Sequence, residues 1–464
     1  MATLSPVDMA FFLLETGQRP MNIGALIVLA PPQGSRGRYA DRLVKAMLKV
    51  PVGPPFNYRL RKSPTTGLPA LVPAPTSAAE QVFRHRLPAG SDLPRLFERI
   101  CRIHVEPLDR EKPLWQAHVF EGLPKGRVAL YFKTHHGLID GIGFIKIVTE
   151  IVTRSPHSRT PQAIWRGLPG ATPGGAQHTK GAVRRLLGFA QEARRTANDM
   201  ARLMWHQGLR DLGFGHGLVA PFVTTPDVLK TEPTAHRILA HCTVPLPRVR
   251  EIARRQDAKI NDVMLSILDA AMNRYLAERG TPPDRPLVAD VPVALDDHGG
   301  TGNRITILQV PMGKPGARPA ERLRDVVRET REMKDELRSI SGNALMLYSI
   351  VQHSIAGAIE SLGLGELPML ANTVISNPAG LAQKVYFNGA EVELALPVSV
   401  VAHHQVLNIT VTTYVDELHV TFIALREAVP DLPRLADYTV EALGELERDV
   451  GRSHTRKQSR RRAA

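Results

Sequence analysis

The segment Arg127-Val128-Ala129-Leu130-Tyr131-Phe132-Lys133-Thr134-His135-His136-Gly137-Leu138-Ile139-Asp140-Gly141 changes character twice within a few residues. Val128 to Phe132 is an apolar run with charges at either end, entered from a Leu-Pro-Lys-Gly turn, and it predicts a strand. Beyond Gly141, Phe144, Ile147, Val148 and Ile151 recur at helical spacing. Two histidines, a glycine and an aspartate therefore occupy the point where a strand gives way to a helix. A strand-end histidine presents a ring nitrogen to a cleft and titrates near neutral pH, as a general base must. Asp140, with Gly141 behind it, folds back to fix the loop or to pair with a distant cation. Adjacent histidines in an extended segment point to opposite faces, which argues against joint metal ligation, and no metal is expected. Taken alone, the run divides evenly between a working histidine and an ordinary turn.

Working outward, Leu26 to Leu29 and Leu114 to Phe120 read as strands, and Leu93 to His104 as a helix. Residues 155–178, rich in Pro, Gly, Ser and Thr, read as a linker. Residues 179–206 predict an amphipathic helix, with Val183, Leu186, Leu187, Ala190, Ala193, Ala197, Met200, Leu203 and Met204 in one stripe and arginines on the other side. It either crosses between domains with its stripe on protein or lies in a headgroup layer with its arginines on anionic lipid. From His236 onward strands and helices resume. Asn261 to Glu278 reads as a long helix with Asn261 as cap and Asp262 in its first turn. Strands are expected at 287–293, 305–310, 373–376, 406–414 and 418–424, and a closing helix at 432–450. The expected plan is α/β with two similar domains, 1–154 and 236–450, a linker with a crossover helix over 155–235, and a basic disordered tail over 451–464.

The chain has 464 residues, 43% of them hydrophobic and only 5% aromatic, ample for large cores built from aliphatic side chains. Its formal charge is +14, of which Arg452, Arg456, Lys457, Arg460, Arg461 and Arg462 supply six. Such a surplus calls for an anionic partner. No nucleic-acid motif accompanies it, so phospholipid or a phosphate-bearing co-substrate is favoured over nucleic acid. Two cysteines, Cys101 and Cys242, cannot build a disulfide framework and suit a reducing compartment. Neither a leader nor a membrane-spanning run is apparent, which predicts a cytoplasmic protein, peripheral on the inner membrane or on lipid droplets. No serine elbow, phosphate-cradling glycine loop or nucleotide fingerprint competes with the histidines. A base without a protein nucleophile suggests that it deprotonates the acceptor's own hydroxyl or amine.

His135 to Gly141 resembles the HHxxxDG signature of the coenzyme-A-dependent acyltransferase superfamily. Further blocks resemble the bacterial wax ester synthase/diacylglycerol acyltransferase family. They are Leu4-Ser5-Pro6-Val7-Asp8, Pro20 to Gly24, Pro107 to Arg110 with Pro113-Leu114-Trp115, Asn261-Asp262-Val263, Val291-Pro292-Val293, Gly302-Asn303-Arg304, Ser376-Asn377 and Leu407-Asn408-Ile409-Thr410. The series is ordered and spans residues 4 to 450. It implies two chloramphenicol-acetyltransferase-like domains with the active-site tunnel between them, acyl-CoA as co-substrate with no bound cofactor, and a lipid alcohol as acceptor. By the same resemblance His136 is the base, His135 supports it, and Asp140 holds the loop through a salt bridge for which Arg304 is the chosen partner. Pro113, Leu114 and Trp115 are expected to pack under the tunnel wall. Asn261 and Asp262 are read as a helix start, and Asn408 as a structural or tunnel-lining residue. Ser376 and Asn377 are candidate hydrogen-bond donors to substrate.

The chain departs from that family at Pro378-Ala379-Gly380, at Ala294-Leu295-Asp296-Asp297 and at His403-His404-Gln405, the last read as a surface loop. These differences bear on the acceptor, not on the base. Three other functions remain open at this point: a condensation-type enzyme fed by a carrier protein, an acyltransferase for a small alcohol or phenol, and a non-catalytic lipid-droplet protein.

Overall fold

The computed structural model describes residues 4–462 except 5, 36, 65–66, 159, 169–181, 213–217, 223–228, 230, 296–303, 365–369, 379 and 404. The first half of the chain forms α1 (Pro6–Leu14), β1 (Asn22–Ala30), α2 (Tyr39–Met47), β2 (Tyr58–Lys62), β3 (Pro69–Pro73), β4 (Val82–Arg86), α3 (Leu93–Val105), β5 (Trp115–Glu121), β6 (Val128–His135), α4 (Gly141–Ile151) and α5 (Ala182–Asp211). The second half forms β7 (Arg237–Pro245), α6 (Leu246–Arg255), α7 (Ile260–Glu278), β8 (Val288–Leu295), β9 (Arg304–Pro311), α8 (Pro319–Ser339), α9 (Gly342–Ser361), β10 (Thr373–Ser376), β11 (Tyr386–Phe387), β12 (Ala390–Val398), β13 (Leu407–Tyr414), β14 (Glu417–Leu425) and α10 (Leu432–Arg462).

Two six-stranded sheets organise these elements, β11-β12-β1-β6-β5-β4 and β7-β14-β13-β10-β8-β9. Strand β6 is buried along its whole length, which is why its sequence is a continuous apolar run and does not alternate. It pairs antiparallel with β1, so that Asn22 lies opposite His135. In the second sheet, α7 is buried nearly all round and packs against α8 and α10.

The sheets cross the division expected at 154 and 236. Strand β12, from the C-terminal half, pairs with β1 from Gly24 to Ala30 and closes an edge of the N-terminal sheet that would otherwise leave its backbone groups unpaired. The stretch read as linker also differs. Trp165 is fully buried and donates its indole N–H to the Val50 carbonyl at 3.0 Å. Gln162 and Asn388 exchange two hydrogen bonds of 2.8 and 2.9 Å. Residues 162–166 are therefore part of the core, whereas most of the Gly/Pro-rich remainder lies outside the described residues.

Helix α5 replaces the expected 179–206 helix. Its Leu203 is buried, but Ala197 and Met204 face outward, and the side chains of Val183, Leu186, Leu187, Ala190 and Ala193 lie outside the described residues. At the C-terminus α10 runs on to Arg462, where an irregular tail was expected. Leu435, Ala442, Leu446 and Val450 anchor it, and the residues after Gly451 include no proline to stop a helix already nucleated.

Buried histidines give this fold a definite pH response. Burial holds His104 and His118 down at about 3 and His241 at about 4. Unfolding lets each take up a proton below its ordinary 6.5, so the unfolded chain binds more protons and stability falls as pH drops from 6.5 toward 4. His353, raised despite its burial by the Asp290 carboxylate 3.7 Å away, and Asp269, raised to about 6 by burial, oppose this, whereas His85, His136 and His419, all lowered by burial, act with it. Calorimetry is expected to show a Tm that declines steadily across that window; a Tm constant across it contradicts the assignment.

Candidate active site

The loop after β6 is built on backbone hydrogen bonds. His135 N–H donates to the Leu114 carbonyl at 3.1 Å, His136 N–H to Met21 at 2.7 Å, and Leu138 N–H back to His135 at 3.0 Å. Thr134 Oγ1 also donates to Leu114, at 2.9 Å. The Pro113-Leu114-Trp115 segment thus lies under the histidines, its Leu114 carbonyl bonded to the loop. Trp115 is fully buried, stacks on Trp165 and Phe132, and donates to the Phe56 carbonyl at 2.9 Å. Trp115→Ala is expected to cost about 3–5 kcal/mol through the cavity it leaves, read by urea unfolding. A cost below about 1 kcal/mol would refute this supporting role.

The two histidines differ. His135 is buried, and its Nδ1 accepts from the Gly137 N–H at 3.0 Å. That leaves the ring proton on Nε2, which lies 3.5 Å from Glu15 Oε1. His136 is half-buried and its Nδ1 has no hydrogen-bond partner among the described residues. Burial lowers its imidazole to about 4, with its own carbonyl and Asp140 opposing, so the ring is neutral at pH 7.

Helix α1 roofs both rings. Phe11 stacks on His136 with centroids 4.0 Å apart, and Phe12 on His135 at 4.2 Å. A Cβ on Gly137 would meet Phe12 Cε2 at 2.6 Å and the Asp8 carbonyl at 2.8 Å, so the close approach of α1 requires glycine there. Glu15, just past α1, also accepts from Met21 N–H at 3.2 Å and from Arg110 at 2.9 Å. Burial alone would raise its carboxyl, but His135 and Arg110 outweigh that and hold it at about 2. Phe11, Phe12 and Glu15 were not among the candidates. Their sequence signal is the apolar run Phe11-Phe12-Leu13-Leu14 closed by an acid.

Asp140 caps α4, its Oδ1 accepting from Gly143 N–H at 2.6 Å. Among the described residues it has no ion-pair partner, and the side chain of Arg304, the expected one, lies outside them. Its visible role is that of a helix cap. Gly141 opens α4, and a Cβ there would meet nothing.

The other candidates form a separate polar group on the second sheet. Lys259, not Asn261, is the N-cap of α7, because Asp262 reaches back to accept from Lys259 N–H at 2.8 Å while also accepting from Thr330 at 2.9 Å. Asn261 Oδ1 accepts from the exposed Asn377 at 3.4 Å. Ser376 donates to Thr410 Oγ1 at 3.1 Å, and Asn408, the second residue of β13, donates to the Val400 carbonyl at 3.0 Å. Among the described residues no hydrogen bond or ion pair joins this group to the histidine loop. His403, read as a surface residue, is buried and lies 3.9 Å from Glu360; His404 is outside the described residues.

The architecture is that of a two-domain chloramphenicol-acetyltransferase-like acyltransferase. The chain belongs to the wax ester synthase/diacylglycerol acyltransferase family: that family's catalytic domain matches residues 4–264 and its C-terminal domain residues 301–447. It is an acyl-CoA-dependent O-acyltransferase. A Mycobacterium tuberculosis chain bearing the name diacylglycerol O-acyltransferase is 30% identical over 96% of both chains. The O-acyltransferase WSD of Acinetobacter baylyi is 28% identical over 96% of both. The solved wax ester synthase/diacylglycerol acyltransferase of Marinobacter aquaeolei VT8 superposes with a TM-score of 0.74 at 26% identity, covering 97% of this chain and all of that one.

Proposed function

We propose that the protein moves a long-chain acyl group from acyl-CoA to the hydroxyl of a lipid alcohol, with His136 as general base. Diacylglycerol as acceptor yields triacylglycerol, and a fatty alcohol yields wax ester. The observation that carries this reading is the His136 ring, neutral at pH 7 and fixed between Phe11 and a backbone-bonded loop. With Nδ1 buried, Nε2 is the nitrogen left to meet a substrate. It takes the hydroxyl proton as the alcohol oxygen attacks the thioester carbonyl. The C–S bond then breaks, and the departing thiolate takes that proton from His136. Support for lipid acceptors comes from the names of the relatives.

The surplus of +14 suits both the phosphates of CoA and an anionic membrane or lipid-droplet surface, and we place the reaction at such a surface on the cytoplasmic side. No helix among the described residues is long and apolar enough to cross a membrane.

Labelled palmitoyl-CoA supplied with dioleoylglycerol or with hexadecanol tests the substrate class; formation of neither labelled lipid would rule it out. The base assignment has its own signature. Because His136 must be unprotonated, kcat/KM is expected to rise with pH through about 4 and to level off above it. An acid limb near 6.5 would show that burial does not hold this ring down, and a rate flat from about pH 3 to 8 would remove the base.

A further inference from the structure

Helix α9 carries no Asp, Glu, Lys or Arg from Gly342 to Ile359, so it is apolar on nearly every side. Such a helix belongs in a core or against a lipid phase. Its inner face is satisfied: Leu345 and Ala356 are buried, Tyr348 receives a hydrogen bond from Gln207 of α5, and Ser349 is bonded to both the amide and the carbonyl of Ile307. Its outer face is not. Leu347, Val351 and Ile355, one turn apart, are exposed, as are Leu362 at 72% and Leu364 just beyond the helix.

The neighbouring elements continue the pattern. Helix α5 packs along α9, with Leu203 and Gln207 turned inward, Met204 and Trp205 outward, and Leu212, just past the helix, exposed as well. Leu14 of α1 approaches Gly357 of α9, leaving Leu13 exposed beside it. Among the described residues thirteen large hydrophobic side chains are exposed, and nine belong to α1, α5, α9 or the residues just after α5 and α9. Scattered exposed apolar residues need no explanation, but this concentration does.

We propose that α9, the C-terminal half of α5 and Leu13 form the face by which the protein rests on an anionic lipid surface. The inference deepens the proposed function and rests on its lipid-alcohol acceptor. Charge selects lipid over another apolar partner: Arg194, Arg195 and Arg202 are exposed on α5, in a chain of net charge +14. Apolar side chains enter the acyl boundary, arginines meet the headgroups, and Trp205 takes the interfacial position its amphipathic ring favours. The face adjoins α1, whose Phe11 and Phe12 cover the histidines, so an acceptor dissolved in lipid enters next to His136.

Trp205 makes the proposal measurable in the unmodified protein. The chain has three tryptophans, and Trp115 and Trp165 are fully buried. Mixed phosphatidylcholine/phosphatidylglycerol vesicles should shift the emission to the blue and protect it from iodide. Emission and quenching unchanged while the protein co-sediments with vesicles would overturn the proposal. The triple variant Leu347→Glu/Val351→Glu/Ile355→Glu should reduce co-sedimentation roughly tenfold or more, and the control Leu48→Glu/Val440→Glu, exposed elsewhere, should not. Retained binding in the triple variant, or equal loss in the control, overturns it. So does a wild-type dimer that ignores vesicles and dissociates in the triple variant, because the face then belongs to a second copy. Acyl transfer to water-soluble hexanol, measured in parallel, is expected to survive in the triple variant. If wild type transfers to no alcohol, the proposed function fails while the vesicle result still decides the face.

Discussion

His136→Ala is expected to lower kcat by about 100- to 10,000-fold, the usual yield of a positioned general base, while leaving the fold and the KM for acyl-CoA nearly unchanged. The ring makes no side-chain hydrogen bond among the described residues and is held by stacking on Phe11 and by its own backbone, so removing it disturbs few structural contacts. His135→Ala should behave differently. It removes the acceptor of the Gly137 N–H and the partner of Glu15, so stability falls along with rate. Steady-state kinetics and thermal unfolding on both variants separate the two histidines. Full activity in His136→Ala would end the base assignment.

The second large effect is expected at Glu15. Its carboxylate lies against the His135 ring that receives the Gly137 N–H, and Arg110 holds it from the other side while also donating to the Phe12 carbonyl at 3.4 Å. The chain Arg110–Glu15–His135–Gly137 therefore fixes one tautomer of His135 and, through it, the backbone that presents His136. Glu15 is a positioning residue in this account. Glu15→Gln keeps the shape but removes the charge, and kcat should fall roughly 10- to 100-fold with the KM for acyl-CoA little changed, by analogy with carboxylates that orient working histidines elsewhere. Two-bond nitrogen–proton couplings of histidine-labelled protein should show His135 protonated on Nε2 in wild type and a mixture in Glu15→Leu. An unaltered tautomer together with an unaltered kcat would reduce Glu15 to a surface ion pair.

What the sequence made legible was local. The strand, loop and helix around His136 follow from an apolar run, a Gly and a 3.6-residue period within a few turns of chain, and they stand as expected. Trp115 lies fully buried next to an apolar Pro-Leu pair. What escaped depends on contacts between distant segments. Strand β12 joins β1 across more than half the chain, and nothing local to Ala390–Val398 says which sheet will take it. Glu15 meets His135 across a similar gap in kind, so an acid after an apolar run looks like any helix end. Trp165 was hidden by its Pro/Gly/Ser/Thr-rich surroundings, although a lone tryptophan in such a stretch signals burial. Helix α9 offered no polar side from which to read a period, and that same property suits it to a lipid surface. Asp262, not Asn261, begins the order at α7, because a carboxylate three residues in can reach back to the free amide of Lys259.

Direct transfer is the centre of this account, and release of CoA in the first turnover tests it. Enzyme mixed rapidly with long-chain acyl-CoA should release CoA only when a lipid alcohol is present, because His136 activates the acceptor and carries no acyl group itself. A burst of CoA stoichiometric with enzyme in the absence of any alcohol, with label left on the protein, would contradict it and require a nucleophile in the chain.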